Sequence, residues 1–267
     1  MIKLIASDLD GTLLLNGAQD VSDQMHDQIR RMKNLGILFV ASSGRQYTNL
    51  RHRFEPVKDE IAYIAENGAL GMWKGECFFK QSLDTELAHR VIDALHSCEG
   101  CICMVSGERV CYTDSKEERF WNHMLNVVRN DMEYCEDLKA LKEPYLKISA
   151  CSFSGAEDPA EKLREIFQDE IKITTSGNIW VDFITPGASK GHALRTLMEQ
   201  LNISKEESAS FGDQYNDLEM LEATACSYVM ESGAAGLEKH AAYKAKRVED
   251  EIEKILRQSE KSPSSKR

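Results

Sequence analysis

Short apolar runs that end abruptly in small or charged residues recur through the first third of the chain. Residues 2–7, 37–45 and 61–69 each read as a buried strand closing in polar positions. Between the first two, Met25, Ile29, Met32 and Leu35 return at helical spacing. Ser22 is placed to cap that helix and Gly36 to stop it. Strand, helix, strand, helix, strand predicts a parallel sheet with crossover connections. The polar residues then fall at the carboxyl ends of the strands, where open α/β sheets hold ligands.

The texture changes after about residue 71. "GECFFKQSL" reads as a hairpin arm, 84–97 as a helix, and 101–113 as two strands around a glycine-containing turn. A helix over 116–130 precedes a polar, acidic passage and a strand at 145–153. Pro159 opens a helix to about 168, and 171–185 reads as a strand pair joined at Gly177-Asn178. This mixture of hairpins and helices is an α+β pattern. The first texture then returns, with a helix at 189–201, a strand to Asp213, a helix at 215–222, a strand to Met230 and a last helix at 249–257. The tail "SEKSPSSKR" reads as disordered. The predicted class is α/β: a parallel-sheet domain built from 1–81 and 185–267, interrupted by a second, α+β domain at 82–184. Insertion at a loop tip costs little entropy.

Composition narrows the function classes. The chain has 267 residues, 42% of them hydrophobic, enough for one domain plus an insert. Lys and Arg total 33 against 44 Asp and Glu, a formal net charge of -11. Such a surface repels nucleic-acid backbone and anionic membrane, so neither is an expected partner. No leader-like segment and no membrane-length apolar run is read, which makes the expected location cytoplasmic. Eight cysteines in this length do not make a dense disulfide scaffold, and reduced thiols are expected. Cys98, Cys101, Cys103 and Cys111 raise a zinc reading, but two of them lie in a predicted strand and packing is the simpler role.

The candidate chemistry begins at Asp8 and Asp10. Residues i and i+2 of an extended segment point the same way, and two such carboxylates repel unless a cation stands with them. Magnesium suits carboxylate and carbonyl oxygens. A carboxylate beside it can attack phosphorus, and a second can serve as acid and base. Gly11 permits the tight turn and Thr12 offers amide and hydroxyl contacts. An Asp-rich turn after a strand is the alternative. In "GDQYND", Asp213 and Asp217 again follow an apolar strand, four apart; the alternative is a helix cap with solvated acids. Ser43 and Arg45 of "SSGR" can present a hydroxyl and a guanidinium fork to an anion, or form an ST-turn with a surface arginine. Lys190 at a helix start runs against the helix dipole, a small cost if it neutralises phosphate and nucleophile together. Asn67-Gly68 follows the third strand as a turn or as part of the substrate entrance, and His192 is a solitary candidate contact.

Together these stretches resemble the haloacid dehalogenase superfamily, specifically the Cof-type phosphatases with a class IIB cap. "DLDGT" resembles the first motif, Ser43 in "SSGR" the second, Lys190 the third and "GDQYND" the fourth, in the family's order and with its long gap before Lys190. The resemblance implies a Rossmann-like core with 82–184 as the cap. It implies Asp8 as nucleophile, Asp10 as general acid/base, and Ser43 and Lys190 on the phosphoryl group. It implies magnesium held by the Asp8 side chain, the Asp10 carbonyl and Asp213, with Asp217 supporting the site. Gly11, Thr12, Gly44, Arg45, Asn67 and Asn216 match phosphate- or substrate-binding positions. Ser43 stands where the family often has threonine, and the hydroxyl is kept. True dehalogenases lack an acid two residues after the nucleophile, so Asp10 implies phosphate substrates.

The function expected is magnesium-dependent hydrolysis of small soluble phosphomonoesters, sugar phosphates or phosphorylated cofactors, under a closing cap. A phosphomutase of the same superfamily and a phosphate-binding sensor module are the rivals. The expected state is a monomer or weak homodimer.

Overall fold

The computed structural model of the protein describes residues 1–261 except 168 and 177, and only the backbone at 158 and 176. The expected turn at Gly177 and the tail from 262 onward lie outside the described residues. The chain opens with β1 (Leu4–Ser7), α1 (Asp23–Asn34), β2 (Leu38–Ser42), α2 (Tyr47–Arg53), β3 (Ala62–Ala65), β4 (Leu70–Trp73) and β5 (Glu76–Lys80). It continues through α3 (Thr85–His96), β6 (Ile102–Ser106), β7 (Cys111–Thr113), α4 (Glu118–Asn122), β8 (Met132–Tyr134), β9 (Lys147–Cys151), α5 (Glu157–Phe167), β10 (Lys172–Ser176) and β11 (Trp180–Ile184). It closes with α6 (Lys190–Gln200), β12 (Ser208–Gly212), α7 (Leu218–Ala223), β13 (Cys226–Met230), β14 (Tyr243–Ala245) and α8 (Val248–Glu260).

The described residues form two compact units: those of 1–45, 50–79 and 189–261, and those of 46–49 with 80–188. The first holds an eight-stranded sheet, ordered β14-β13-β12-β1-β2-β3-β4-β5. Its strands from β14 to β3 are parallel neighbours, and β4 runs antiparallel to β3. β1 sits between β2 and β12, so the loops after these three strands open side by side. Leu4, Ala6, Val40, Ala62 and Ile64 bury one sheet face against Ala193, Leu194 and Leu197 of α6 and Met220 of α7. α1 begins where Ser22 caps it, its hydroxyl accepting from the Met25 amide at 3.2 Å. The apolar stripe expected there buries Met25, Ile29 and Met32.

The "GECFFKQSL" arm joins this sheet: β4 and β5 form its edge through a turn at Lys74 and Gly75, both with left-handed φ. The final helix runs three residues further than the pattern indicates, to Glu260. β14 carries too few apolar positions to announce itself.

The second unit is a six-stranded sheet, ordered β10-β11-β9-β6-β7-β8. One face packs Val105, Ile148, Ala150, Val181 and Phe183 under α3 and α5; the other packs Ile102, Met104, Cys111 and Cys151 against Phe120 and Met124. The helix read over 116–130 is realised as short α4 and a π-helical turn, His123–Val128, closed by Arg129 at φ 63°. Glu143 fastens the β6–β7 turn: it accepts from the Glu108 amide at 3.0 Å, from Arg109 Nε at 2.6 Å and from the Tyr112 hydroxyl at 3.0 Å.

Candidate active site

Asp8 follows directly on β1, and its amide donates to Phe211 O of β12 at 3.0 Å, which ties the acidic turn to the neighbouring strand. The chain must then reverse. Gly11 takes φ 89°, and a Cβ there would collide with the Asp213 carboxylate, so glycine brings the two acidic loops together. Thr12 spends its hydroxyl on Asp213 Oδ1 at 2.7 Å.

Lys190 lies at the centre of the group. Its side chain is 1% exposed, and Nζ donates to Asp8 Oδ1 and to Asp217 Oδ1, both at 2.6 Å. Two close approaches hold it there. Gly68, at φ 97°, presses on the Ser189–Lys190 backbone, and Gly191 presses on the backbone of Glu219. A side chain at either position would push the lysine off its carboxylates. Ser189 caps α6, its hydroxyl accepting from the His192 amide at 3.0 Å. Gly68, Ser189 and Gly191 are therefore positioning residues; of these only Gly68 was singled out in the sequence, within the Asn67-Gly68 turn.

Asp217 accepts from Lys190 with one oxygen and with the other from the amides of Asp213 and Gln214, at 3.0 and 3.1 Å. It thus shapes the "GDQYND" turn. Gln214, unnoticed in the sequence, donates from Nε2 to Asp213 Oδ2 at 3.2 Å. Ser43 is buried at the end of β2, and its hydroxyl accepts from the Arg45 amide at 3.2 Å, the ST-turn reading. Asn67, also at positive φ, accepts from Asn216 Nδ2 at 3.0 Å, and a Cβ on Gly44 would crowd the Asn67 amide. These two asparagines lace the β3 and β12 loops together. His192 is exposed, its ring edge-on to Phe79 with centroids 4.9 Å apart.

Asp10 stands apart. Its side chain is 54% exposed and receives the fork of Arg45, Nε and Nη2 each at 2.7 Å from a carboxylate oxygen. The guanidinium expected to face an anionic ligand is here engaged by the carboxylate expected to be the acid.

The electrostatics call for a cation. Asp8, Asp213 and Asp217 each bring a carboxylate oxygen within 4.8 Å of the others, all buried. Burial pushes Asp8 well above the usual carboxylate range; Lys190 opposes the shift, and Asp217 and Asp213 add to it. Asp213 is raised as well, by burial first and then by Asp217, against the Thr12 hydroxyl bond. Burial disfavours the charge on Lys190, but Asp217 and Asp8 outweigh it and hold the ammonium above its ordinary value. Once ionised, the three carboxylates against this one ammonium leave two negative charges over, which a divalent cation matches. The donors are all hard oxygens, the set magnesium takes. No cysteine joins such a group: among the described residues it is the one cluster of metal-ligating side chains, so the zinc reading of Cys98, Cys101, Cys103 and Cys111 has no geometry behind it.

Fold and site together define a phosphoryl-transfer hydrolase of the α/β class, and the chain belongs to the haloacid dehalogenase-like hydrolases, whose family pattern it matches over residues 5–252. It is a magnesium-dependent phosphatase of that family, working through an aspartyl-phosphate. Among its relatives, the 5-amino-6-(5-phospho-D-ribitylamino)uracil phosphatase YbjI of Escherichia coli is 30% identical over 262 residues, covering 96% of this chain and 97% of its own. The phosphatase YwpJ of Bacillus subtilis is 30% identical over 249 residues, covering 83% and 87%. The crystal structure of a haloacid dehalogenase-like hydrolase from Bacteroides thetaiotaomicron shares the fold with a TM-score of 0.85 at 21% identity, over 96% of this chain and 100% of that one. Among the described residues no helix is long and apolar enough to cross a membrane.

Proposed function

We propose that the protein hydrolyses small soluble phosphomonoesters, either sugar phosphates or phosphorylated cofactors. The observation that carries this reading is the buried Lys190 ammonium bonded to Asp8 beside two further carboxylates. The substrate class draws support from the relative YbjI, named for a phosphate ester on a ribityl chain joined to a uracil.

In this reading Asp8 attacks phosphorus and becomes the aspartyl-phosphate, and the leaving alkoxide takes a proton from Asp10. Asp10 then removes a proton from the water that cleaves the acyl phosphate. The Lys190 ammonium and the Ser43 hydroxyl hold phosphoryl oxygens. Lys190 also holds Asp8 in orientation through their bond. Magnesium would be held by the side chains of Asp8 and Asp213 and the Asp10 carbonyl, and when bound it offsets charge on the transferring group. Asp217 keeps the Asp213 loop in shape through the amides it accepts from. Gly11, Thr12, Gly44, Arg45, Asn67 and Asn216 build the phosphate- and substrate-binding loops, and the unit at 80–188 is read as the cap that selects among esters.

The test is phosphate release from a panel of metabolite phosphates in magnesium. Asp8→Asn abolishes release, and Asp10→Asn slows it by ~10²–10⁴-fold for alkyl phosphates. Release that survives both substitutions overturns the assignment. Isomerisation of a sugar phosphate dependent on a bisphosphate, without net release, would make the protein a mutase.

A further inference from the structure

The sequence "CEGC", residues 98–101, has no part in the phosphoryl-transfer site, and it lies in the second unit at the junction of α3 and β6. Its backbone makes a tight turn: the Cys101 amide donates to Cys98 O at 3.2 Å, and Gly100 takes φ 75° as the third residue. A turn of this kind brings its first and fourth Cα atoms within about 7 Å, inside the span a disulfide bridges. The side chains follow the backbone, with Cys101 Sγ 3.3 Å from Cys98 Sγ. Both residues are half-buried, while Glu99 and Gly100 are exposed, so a small oxidant reaches the turn. The other cysteines are placed differently. Cys103, Cys111 and Cys151 are buried in the sheet. Cys77, Cys135 and Cys226 turn their thiols to Phe79 O, Asp137 O and the Tyr228 hydroxyl.

We propose that Cys98 and Cys101 are a redox-active dithiol, a modification site that closes to an intramolecular disulfide when the protein meets a small-molecule disulfide such as oxidised glutathione. The step balances without a further reactant. The Cys98 thiolate attacks one sulfur of the oxidant, forming a mixed disulfide and expelling one thiolate, which takes up a proton. The Cys101 thiolate then attacks the Cys98 sulfur and expels the second. The two protein thiols give up two electrons and two protons, and one oxidant disulfide becomes two thiols. The order follows from the surroundings: burial, then the neighbouring Cys98, pushes the Cys101 thiol up to about 12. Cys101 is therefore a poor first attacker and reacts once Cys98 has been activated beside it.

The experiment uses the full chain, fully reduced, equilibrated without oxygen in glutathione redox buffers at pH 7, then acid-quenched, alkylated and mapped by peptide mass. Two of the eight thiols disappear together, and a linked peptide holding Cys98 and Cys101 appears, reversed by dithiothreitol. Cys101→Ser accumulates glutathione on Cys98, and Cys98→Ser leaves Cys101 reduced at the same potential. Because wild-type mapping alone reports closure, folding defects in the variants do not blunt the test. A lasting glutathione adduct on wild-type Cys98, or oxidation elsewhere in the chain before any Cys98–Cys101 link forms, overturns the proposal.

Discussion

Two carboxylate sites, a buried cluster in the first unit and the half-buried Glu143 in the second, behave in opposite ways. Around Asp8 the acids outnumber the single lysine, and burial raises Asp8 and Asp213. Around Glu143 the donors suffice: burial opposes its charge, but the bonds from Arg109 and Tyr112 more than compensate and hold it below the usual range. Tyr112 is correspondingly pushed up to about 12, by burial and by the carboxylate it donates to. A satisfied carboxylate fastens a turn. An unsatisfied cluster is held together by its fold against its own repulsion, and that unmet charge is what lets it take a cation and a phosphate.

The largest effect expected on this contrast comes from Lys190→Met. It leaves Asp8 and Asp217 facing each other without their ammonium, a change of the kind that costs ~3–5 kcal/mol in a buried pair. Denaturant unfolding without magnesium should show that loss, and phosphate release should fall by at least ~10²-fold.

Metal removal gives the next effect, and its sign is fixed by the raised carboxyls. Asp8 and Asp213 carry protons in the metal-free folded state to higher pH than in the unfolded chain, so their stabilisation is present below the ordinary aspartate value and is lost as pH rises through the raised values. Magnesium supplies the missing charge where the protons have left. Its stabilisation, read as the rise in Tm over a chelated sample, should therefore be larger at pH 8 than at pH 5.

Arg45→Ala frees Asp10 from its fork. If the arginine aims the acid, alkyl phosphates should lose kcat by ~10-fold or more while esters with acidic phenol leaving groups, which need no protonation, change little. Equal loss on both would instead mark Arg45 as a phosphate contact.

The smallest effect is Glu143→Gln, which weakens the bonds to Arg109 and Tyr112 and should cost ~1–2 kcal/mol. A depressed folded value means this stabilisation is present above the ordinary glutamate value and fades as pH falls through the depressed one. The wild-type advantage should shrink in acid, opposite to the direction expected at Asp8.

The placement of the acids and of Ser43 at strand ends was legible because each follows an apolar run, and that of Lys190 because it opens a helical stripe. The α/β class and the break into an α+β insert were legible for the same reason. Local pattern could not tell that Thr12 serves Asp213, that Arg45 grips Asp10 or that Asn67 meets Asn216, since these partners lie from 35 to 201 residues apart. Nor could it show that Gly68 and Gly191 matter, because a glycine records only the absence of a side chain and the neighbour that forbids one arrives from elsewhere. The sequence by itself determined which groups stand at the ends of the strands, through the spacing of apolar residues. Only the tertiary structure decided that β1 lies between β2 and β12. That adjacency turns scattered charges into one under-neutralised site, because electrostatic energy depends on distance and burial, which chain order does not carry.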